Sequence, residues 1–223
     1  NDQLSSWFGQ LKIGLDWLLF RSGPLAIGIN QGGLFTRVMK GSKTPDIQFH
    51  MATLSAEMAG GKVHSFSGFT MSVCQLRPES RGFVRIQSAD PLIPPKMFAN
   101  YLATQHDRDT SVAAVNFARK ISQTEPLRSL ITREVKPNNP KTDDEVLEYC
   151  RNNGATIFHP TGTCQMGPDS NPMAVLDSSL RVRGIQGLRV VDCSAMPTVP
   201  SGNTNWPAVM LGERAADLIL GRI

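Results

Sequence analysis

The chain has 223 residues, of which 40% are apolar and 19% are charged, a composition typical of a globular protein with a sizeable core. Its net charge of +4 is scattered, and no basic run indicates a nucleic-acid partner. Four widely spaced cysteines without a CxxC pair exclude a disulfide scaffold and favour reduced thiols. The sequence shows no signal peptide, and its apolar run LDWLLF is too short to span a bilayer. We expect a cytoplasmic protein of one large or two small domains.

The first predicted element is a helix over residues 6–20, because apolar residues recur there at helical spacing after a possible cap at Ser5 and Ser6. The glycine-rich stretch 23–38 has no clear period and predicts a loop. Alternating apolar residues then indicate an antiparallel sheet. Its predicted strands cover residues 46–54, 69–76 and 82–88.

The middle of the chain changes to helical patterns. Three prolines deny residues 90–102 a central strand position. Helices are predicted over residues 109–123 and 142–153, the second with Thr142 as cap and Glu145 at capping-box distance.

The last third predicts short strands and a final helix. Leu180–Val182 is typical of an edge strand and Leu188–Val191 of a buried strand. The final helix is expected to begin near Pro207, which suits a first helical position, and to end at Gly221. Its inner face is predicted to consist of Met210, Leu211, Ala215, Leu218 and Ile219.

One of the four histidines lies in the stretch IFHPTGTCQMG. A histidine beside apolar residues is most often structural, but Pro160 favours an extended backbone at His159 and the flanking glycines allow a tight loop. Such a loop could hold an imidazole rigidly at a cleft, as a general base requires. A metal site with Cys164 and Cys150, or a Cys164 nucleophile, is a weaker alternative. No closely spaced ligand pair is present, so we expect no metal.

The second stretch of interest is VVDCSAMPTVPSGNTNWPAVML, in which a strand is predicted to end at Asp192 and a helix to begin within residues 203–207. The first backbone N–H groups of a helix lack partners, so this terminus suits an anion or an electron-rich carbonyl edge. Ordinary capping by Asn203, Thr204 or Asn205 is the simpler alternative.

Together, FHPTGTCQMG and LDSSLRVRGIQGLRVVDCSAMPTVPSGNTNWPAVMLGERAADLIL closely resemble the C-terminal signature of the glucose–methanol–choline (GMC) flavin oxidoreductases. The resemblance is dense over residues 158–220 and looser over residues 1–157. It implies an α+β fold, with an antiparallel-sheet substrate-binding domain flanked by helices, followed by the closing strand and C-terminal helix of an incomplete Rossmann-like FAD-binding domain. The implied division is a junction helix and loop at 1–44, the substrate-binding domain with the histidine loop at 45–176, and the FAD-domain part at 177–223.

The resemblance also implies an activity, FAD-dependent oxidation of a primary alcohol of the choline- or alcohol-dehydrogenase type. His159 matches the catalytic histidine that accepts the hydroxyl proton, and Asn203 matches its partner, with Asn205 as the fallback. Asp192 matches a residue near the ribityl chain of the flavin. The full set of cofactor-binding positions that the resemblance implies is Asp192, Cys193, Asn203, Thr204, Asn205 and Pro207.

The glycine-rich turn G-x-G-x-x-G, which holds the FAD pyrophosphate in such enzymes, does not occur in the 223 residues. We therefore expect the C-terminal part of an enzyme, whose partners are a small alcohol and the N-terminal FAD-binding part of the same protein. Alone, it is expected to bind FAD weakly or not at all, and exposed apolar surface is expected to favour self-association. An inactive folded fragment and a hydrolase using His159 and Cys164 are the competing hypotheses. Membrane association, the substrate and the electron acceptor stay open.

Overall fold

The computed structural model describes residues 1–57 and 61–223, and its contacts divide the chain into two compact units. The first unit consists of Asn1–Cys74 and Ala114–Thr132, and the second of Gln75–Ala113 and Arg133–Ile223. These units combine separate stretches of the chain. The units are defined by contacts between residues, whereas the resemblance divides the chain by position into 1–44, 45–176 and 177–223. That three-part division stays a prediction.

The first unit begins with two helices, α1 (Asp2–Ser5) and α2 (Trp7–Phe20). The predicted helix over residues 6–20 is confirmed, and the Ser6 hydroxyl caps it by accepting a hydrogen bond from the Gly9 amide at 3.0 Å. It ends at Arg21, whose backbone is left-handed. Within residues 1–57 and 61–223, no helix is both long and apolar enough to cross a bilayer.

Three strands form the sheet of the first unit, namely β1 (Asn30–Thr36), β2 (Ile47–Ala52) and β3 (Thr70–Gln75), in that order. β1 and β2 are antiparallel, as predicted for this sheet, and β2 and β3 lie where strands were predicted. The loop prediction for residues 23–38 was wrong, because β1 lies there. β1 is glycine-rich and mostly exposed, so hydrogen bonding to β2, not a local hydrophobic period, makes it a strand.

The core of the first unit joins β2 to the later turns of α3 (Gln105–Ser122). Ile47 and Phe49 are essentially inaccessible to solvent, and the Phe49 and Phe117 rings lie 5.9 Å apart between centroids. α3 begins four residues before the predicted start at 109, and its first turns belong to the second unit. A short helix, α4 (Leu127–Leu130), follows it and was not predicted.

The second unit contains a separate two-stranded sheet, in which β4 (Phe83–Arg85) pairs antiparallel with β5 (Lys96–Phe98). The sequence predicted β4 but placed it in one sheet with the earlier strands, which is wrong. β5 lies in the proline-rich stretch and has an edge position, as such a sheet requires.

Helix α5 (Asp143–Asn153) confirms the predicted cap at Thr142, whose hydroxyl accepts from the Glu145 amide at 3.2 Å. The capping box is only half formed. The Glu145 carboxylate accepts from the Lys141 amide, one residue before the expected donor.

The two strands predicted in the last third are absent as strands. Arg181 pairs with Arg189, and Leu176 with Val182, across isolated bridges, and Leu188 is 47% exposed. The prediction of a buried closing strand was therefore wrong for this chain. Both runs have strand-like composition, but a strand needs a continuous ladder with a neighbour, and these residues pair at single positions.

The final helix, α6 (Asn205–Leu220), ends at the left-handed Gly221, as predicted, but begins two residues before Pro207. The predicted inner face is only partly correct. Leu211 and Ala215 are buried, and they pack in a cluster with Leu176, Leu180, Ala195 and Met196. Met210 and Ile219 are 57% and 60% exposed, because this cluster covers only one narrow stripe of the helix.

Asp107, in the first turn of α3, anchors the turn that precedes β4. Its carboxylate is 1% exposed and accepts hydrogen bonds from the Glu79 amide at 2.9 Å and the Ser80 amide at 2.8 Å. Burial opposes ionisation, but the Ser80 hydroxyl and these two amides prevail and lower the pKa of Asp107 below its usual value.

We predict that Asp107→Asn destabilises the protein by about 1–3 kcal/mol at pH 7, because an amide NH₂ would face one of the two backbone donors. Since the folded-state pKa lies below the unfolded one, the wild-type advantage is full above the unfolded pKa and is lost as the pH falls through the folded pKa. Urea unfolding of the complete protein that contains these residues, from pH 7 to pH 3, measures the difference in unfolding free energy between the wild type and Asp107→Asn. Asp109→Asn, at an exposed position of the same helix, is the control. A loss that is independent of pH would contradict the role of the charge.

Candidate functional site

The His159 imidazole is held between two side chains from the start of α6. Its Nε2 lies 2.7 Å from Asn203 Nδ2, and its Nδ1 lies 2.8 Å from Thr204 Oγ1. The partners are 44 and 45 residues away along the chain. The structure thus brings together the histidine and the asparagine that the sequence singled out. The fallback, Asn205, is the first residue of α6.

The backbone that presents His159 is strained. Phe158 has a φ of 63°, in the left-handed region, which costs a residue with a β-carbon on the order of 1–3 kcal/mol. The Thr156 hydroxyl accepts a hydrogen bond from the Phe158 amide at 2.9 Å, and Gly162 absorbs a second positive φ of 88°. Sequence reasoning expected the tight turn at the glycine but missed Phe158, since glycine or asparagine is the usual signal for such a conformation.

Backbone hydrogen bonds attach the loop that carries His159 (residues 157–167, the histidine loop) to the segment that follows Asp192. The Cys164 amide donates to the Ser194 carbonyl at 3.0 Å, and the Met166 amide donates to the Ala195 carbonyl at 2.9 Å. Asp192 caps this short 3₁₀ turn, its Oδ1 accepting from the Ser194 amide at 2.7 Å. In this chain Asp192 therefore stabilises the turn to which the histidine loop is hydrogen-bonded.

The N-terminus of α6 has no side-chain cap. Thr204 is its N-cap residue, but the Thr204 hydroxyl is bonded to His159. Asn203 and Asn205 are exposed, and Trp206 is 78% exposed. Backbone N–H groups at such a terminus lack intrahelical partners, so the donors here suit an electron-rich or anionic ligand edge.

The remaining residues predicted to bind cofactor have less specific surroundings. Cys193 is half-buried against the α6 cluster, with its Sγ 4.0 Å from the Thr204 carbonyl oxygen. Pro207 is the third residue of α6 and carries no N–H. Their cofactor contacts stay predictions.

The geometry works against the metal and thiol alternatives. Both ring nitrogens of His159 have partners, and neither partner is a cysteine. In the part of the chain that the structure describes, no group of three His, Cys, Asp or Glu residues could hold a metal ion. Burial raises the pKa of the Cys150 thiol, which disfavours the thiolate that metal ligation requires.

A family model described as GMC oxidoreductase matches residues 78–212, which include the whole of this arrangement. The chain belongs to the GMC oxidoreductase family. It is 41% identical over 215 residues to an oxygen-dependent choline dehydrogenase of Vibrio vulnificus (strain YJ016), an alignment that covers 96% of this chain and 38% of that protein. This GMC oxidoreductase chain thus spans about 38% of the length of that relative.

Two solved structures show the same fold. Pyridoxine 4-oxidase from Mesorbium loti superposes with a TM-score of 0.77 at 25% identity, covering 86% of this GMC chain and 38% of the oxidase. An R554A variant of formate oxidase from Aspergillus oryzae RIB40 gives a TM-score of 0.83 at 21% identity, covering 96% of this chain and 42% of the other. The mixed helix and antiparallel-sheet fold predicted from the sequence is therefore similar to part of the fold of these oxidases.

His159 is partly exposed and Asn203 is exposed, and their contact lies outside the cleft that this GMC chain forms. An open cleft of about 640 Å³ is lined by Asp177 and residues 181–189, and it includes neither His159 nor Asn203. Thr204 was considered as a cap or a cofactor contact: its side chain does not cap α6, its cofactor contact stays a prediction, and its hydrogen bond to His159 was missed. No local pattern signals a side-chain hydrogen bond to a residue 45 positions away.

We predict that Asp192→Ala in this GMC protein lowers the free energy of unfolding by about 0.5–2 kcal/mol, the usual loss on removing a cap, because the turn beneath the histidine loop loses its acceptor. Asp192→Asn is the matched variant, since its amide oxygen still accepts from the Ser194 amide. Urea unfolding of both variants measures the difference. A stability loss as large in the Asn as in the Ala variant would contradict the capping role.

Proposed function

We propose that this chain is the catalytic C-terminal part of an FAD-dependent oxidoreductase that oxidises a primary alcohol. The observation that carries the proposal is the imidazole of His159 fixed between Asn203 and Thr204 at an uncapped helix start. The names of the relatives support it, because choline and pyridoxine both carry a primary alcohol group.

His159 is proposed to act as the general base. Its Nε2 faces the exposed Asn203, whereas its Nδ1 faces the buried Thr204, so Nε2 is the nitrogen that a hydroxyl can approach from solvent. An alcohol O–H placed at Nε2 would transfer its proton to the ring, and the bonding electron pair would stay on the oxygen.

Asn203 is proposed to hold the oxygen from which that proton leaves. Its Nδ2 lies 2.7 Å from the same ring nitrogen, so a hydroxyl that displaces this contact, with the carboxamide turning aside, can donate to Nε2 and accept from Nδ2. An N–H donor aimed at the oxygen stabilises the alkoxide character that develops as the proton moves.

The residues at the start of α6 fit one edge of a flavin. Backbone donors without a capping side chain, together with the exposed carboxamide of Asn205, suit the electron-rich pyrimidine edge of isoalloxazine. When bound, FAD would supply the acceptor for the hydride that leaves the alcohol carbon. The pyrophosphate turn has no counterpart in these 223 residues, so the rest of the cofactor site is assigned to the N-terminal FAD-binding part of the enzyme, in which residues 177–223 would complete a Rossmann-like domain.

Each unit exposes apolar surface that the N-terminal FAD-binding part of the enzyme could cover. In the second unit, Trp206, Val209 and Met210 on α6 are 78%, 47% and 57% exposed. In the first unit, α2 exposes a set of large apolar side chains, namely Trp7, Phe8, Leu11, Leu15, Leu18, Leu19 and Phe20. Apolar surface of this extent is usually covered by protein. Because the chain corresponds to 38% of its choline dehydrogenase relative, mostly the C-terminal part, we assign the cover to the remainder of the same enzyme.

We predict that His159→Ala slows alcohol-dependent flavin reduction in the complete protein by about 10²–10⁴-fold, the contribution expected of a general base. Stopped-flow absorbance of the flavin under anaerobic conditions measures it, and retained flavin absorbance shows that the site is loaded. His106→Gln, on α3, is the control histidine. Unchanged flavin reduction in His159→Ala would refute the proposed function, and chelator-sensitive turnover without flavin would favour the hydrolase hypothesis.

We predict that the isolated chain self-associates and elutes without stoichiometric flavin, because its apolar surfaces and its share of the cofactor site both lack their partner. Gel filtration over a range of concentrations, read at protein and flavin wavelengths, measures both. Leu18→Glu on α2 is expected to reduce association, whereas Gln10→Glu, which adds the same charge at a polar exposed position, is the control. A monomer with stoichiometric flavin at every concentration would contradict the assignment.

A further inference from the structure

Thr204 makes an unusual contact for a residue at the start of a helix. It is 6% exposed and occupies the N-cap position of α6, yet its hydroxyl does not cap the helix. Instead, Oγ1 lies 2.8 Å from Nδ1 of His159. A buried hydroxyl normally has a hydrogen-bond partner, and here the partner is the ring on which the chemistry is proposed to occur.

The two contacts of His159 decide where the neutral ring carries its proton. Asn203 presents Nδ2 to the ring, and an amide nitrogen can only donate, so Nε2 must accept and is unprotonated. A neutral imidazole has one N–H, which is then at Nδ1, and the atom that faces Nδ1 is Thr204 Oγ1.

We propose that Thr204 is a positioning residue that accepts a hydrogen bond from Nδ1–H of His159 and so keeps the lone pair of the ring at Nε2. The catalytic consequence rests on the proposed function. When an alcohol O–H bond breaks, its proton forms the new N–H bond at Nε2 and the electron pair remains on the alcohol oxygen. The Nδ1–H bond to Thr204 is unchanged by this transfer, so Thr204 supports both the neutral ring and the imidazolium.

The backbone makes Thr204 a firm support. The Thr204 carbonyl accepts the first intrahelical bond of α6, from the Ala208 amide at 2.9 Å. The acceptor for His159 is therefore built on a helix terminus and not on a free loop, which limits the movement of the ring.

The protonation site can be measured directly, without reference to activity. In the complete protein labelled with ¹⁵N-histidine, long-range ¹H–¹⁵N correlation spectra distinguish Nδ1–H from Nε2–H rings, and the signals of His159 are those lost in His159→Ala. We expect the neutral His159 ring to be protonated at Nδ1. Protonation at Nε2 would overturn the proposal, because Asn203 would then present its oxygen to the ring and Thr204 would be the donor.

Variants at position 204 test the consequence for the reaction. Thr204→Val, which keeps the shape but not the hydroxyl, is expected to lose the preference for Nδ1–H and to slow flavin reduction on the order of 10- to 100-fold at saturating alcohol. Thr204→Ser is expected to restore both the tautomer and most of the rate. Thr198→Val, which removes an exposed hydroxyl from the preceding loop, is the matched control.

The outcomes separate this inference from the function on which it rests. If Thr204→Val retains the wild-type tautomer and rate, the positioning role is refuted while His159 can still be the base. If His159→Ala reduces flavin at the wild-type rate, the proposed function fails, whatever the tautomer. If Thr204→Val does not fold, the wild-type spectrum and Thr204→Ser still decide the proposal.

Discussion

The two hydrogen bonds on the His159 ring are the constraint on which this site depends. They join a loop at residue 159 to a helix start at residues 203 and 204, and they leave neither ring nitrogen without a partner. Because one partner is buried and the other exposed, the ring has a protected side and an accessible side. The base that we propose requires this asymmetry, because a substrate must reach one ring nitrogen while the other is held in place.

The rest of the second unit holds these two segments in register. The hydrogen bonds from Cys164 and Met166 to the turn after Asp192 fix the loop from one side. The apolar cluster beneath, which includes Leu176 and Leu211, fixes α6 from the other side. Interior packing is dense and deforms little, so a ring supported at both ends keeps its position. The strained backbone of Phe158 lies in the loop that these hydrogen bonds hold, and its own amide donates to the Thr156 hydroxyl.

The sequence predicted best where local forces decide the structure. Helix α2 follows from a 3.6-residue period, and α5 from a capping threonine at position 142. β1 and the 180–191 stretch were misjudged because pairing with distant residues, or its absence, overrides composition. His159 and Asn203 were found through a family signature and not through periodicity. Their contact, and the part of Thr204 in it, depend on tertiary geometry that no short window of sequence contains.

The missing cap at the start of α6 sets the stability of the helix against the proposed role of His159. Aspartate is a better helix N-cap than threonine, so an aspartate at an N-cap position would ordinarily stabilise the first turn of the helix. At position 204, however, a carboxylate would lie against the imidazole and would hold its proton after transfer. A residue at position 204 that capped α6 better would therefore interfere with the proposed base, and in this chain the threonine hydroxyl contacts the ring and leaves the helix start without a side-chain cap.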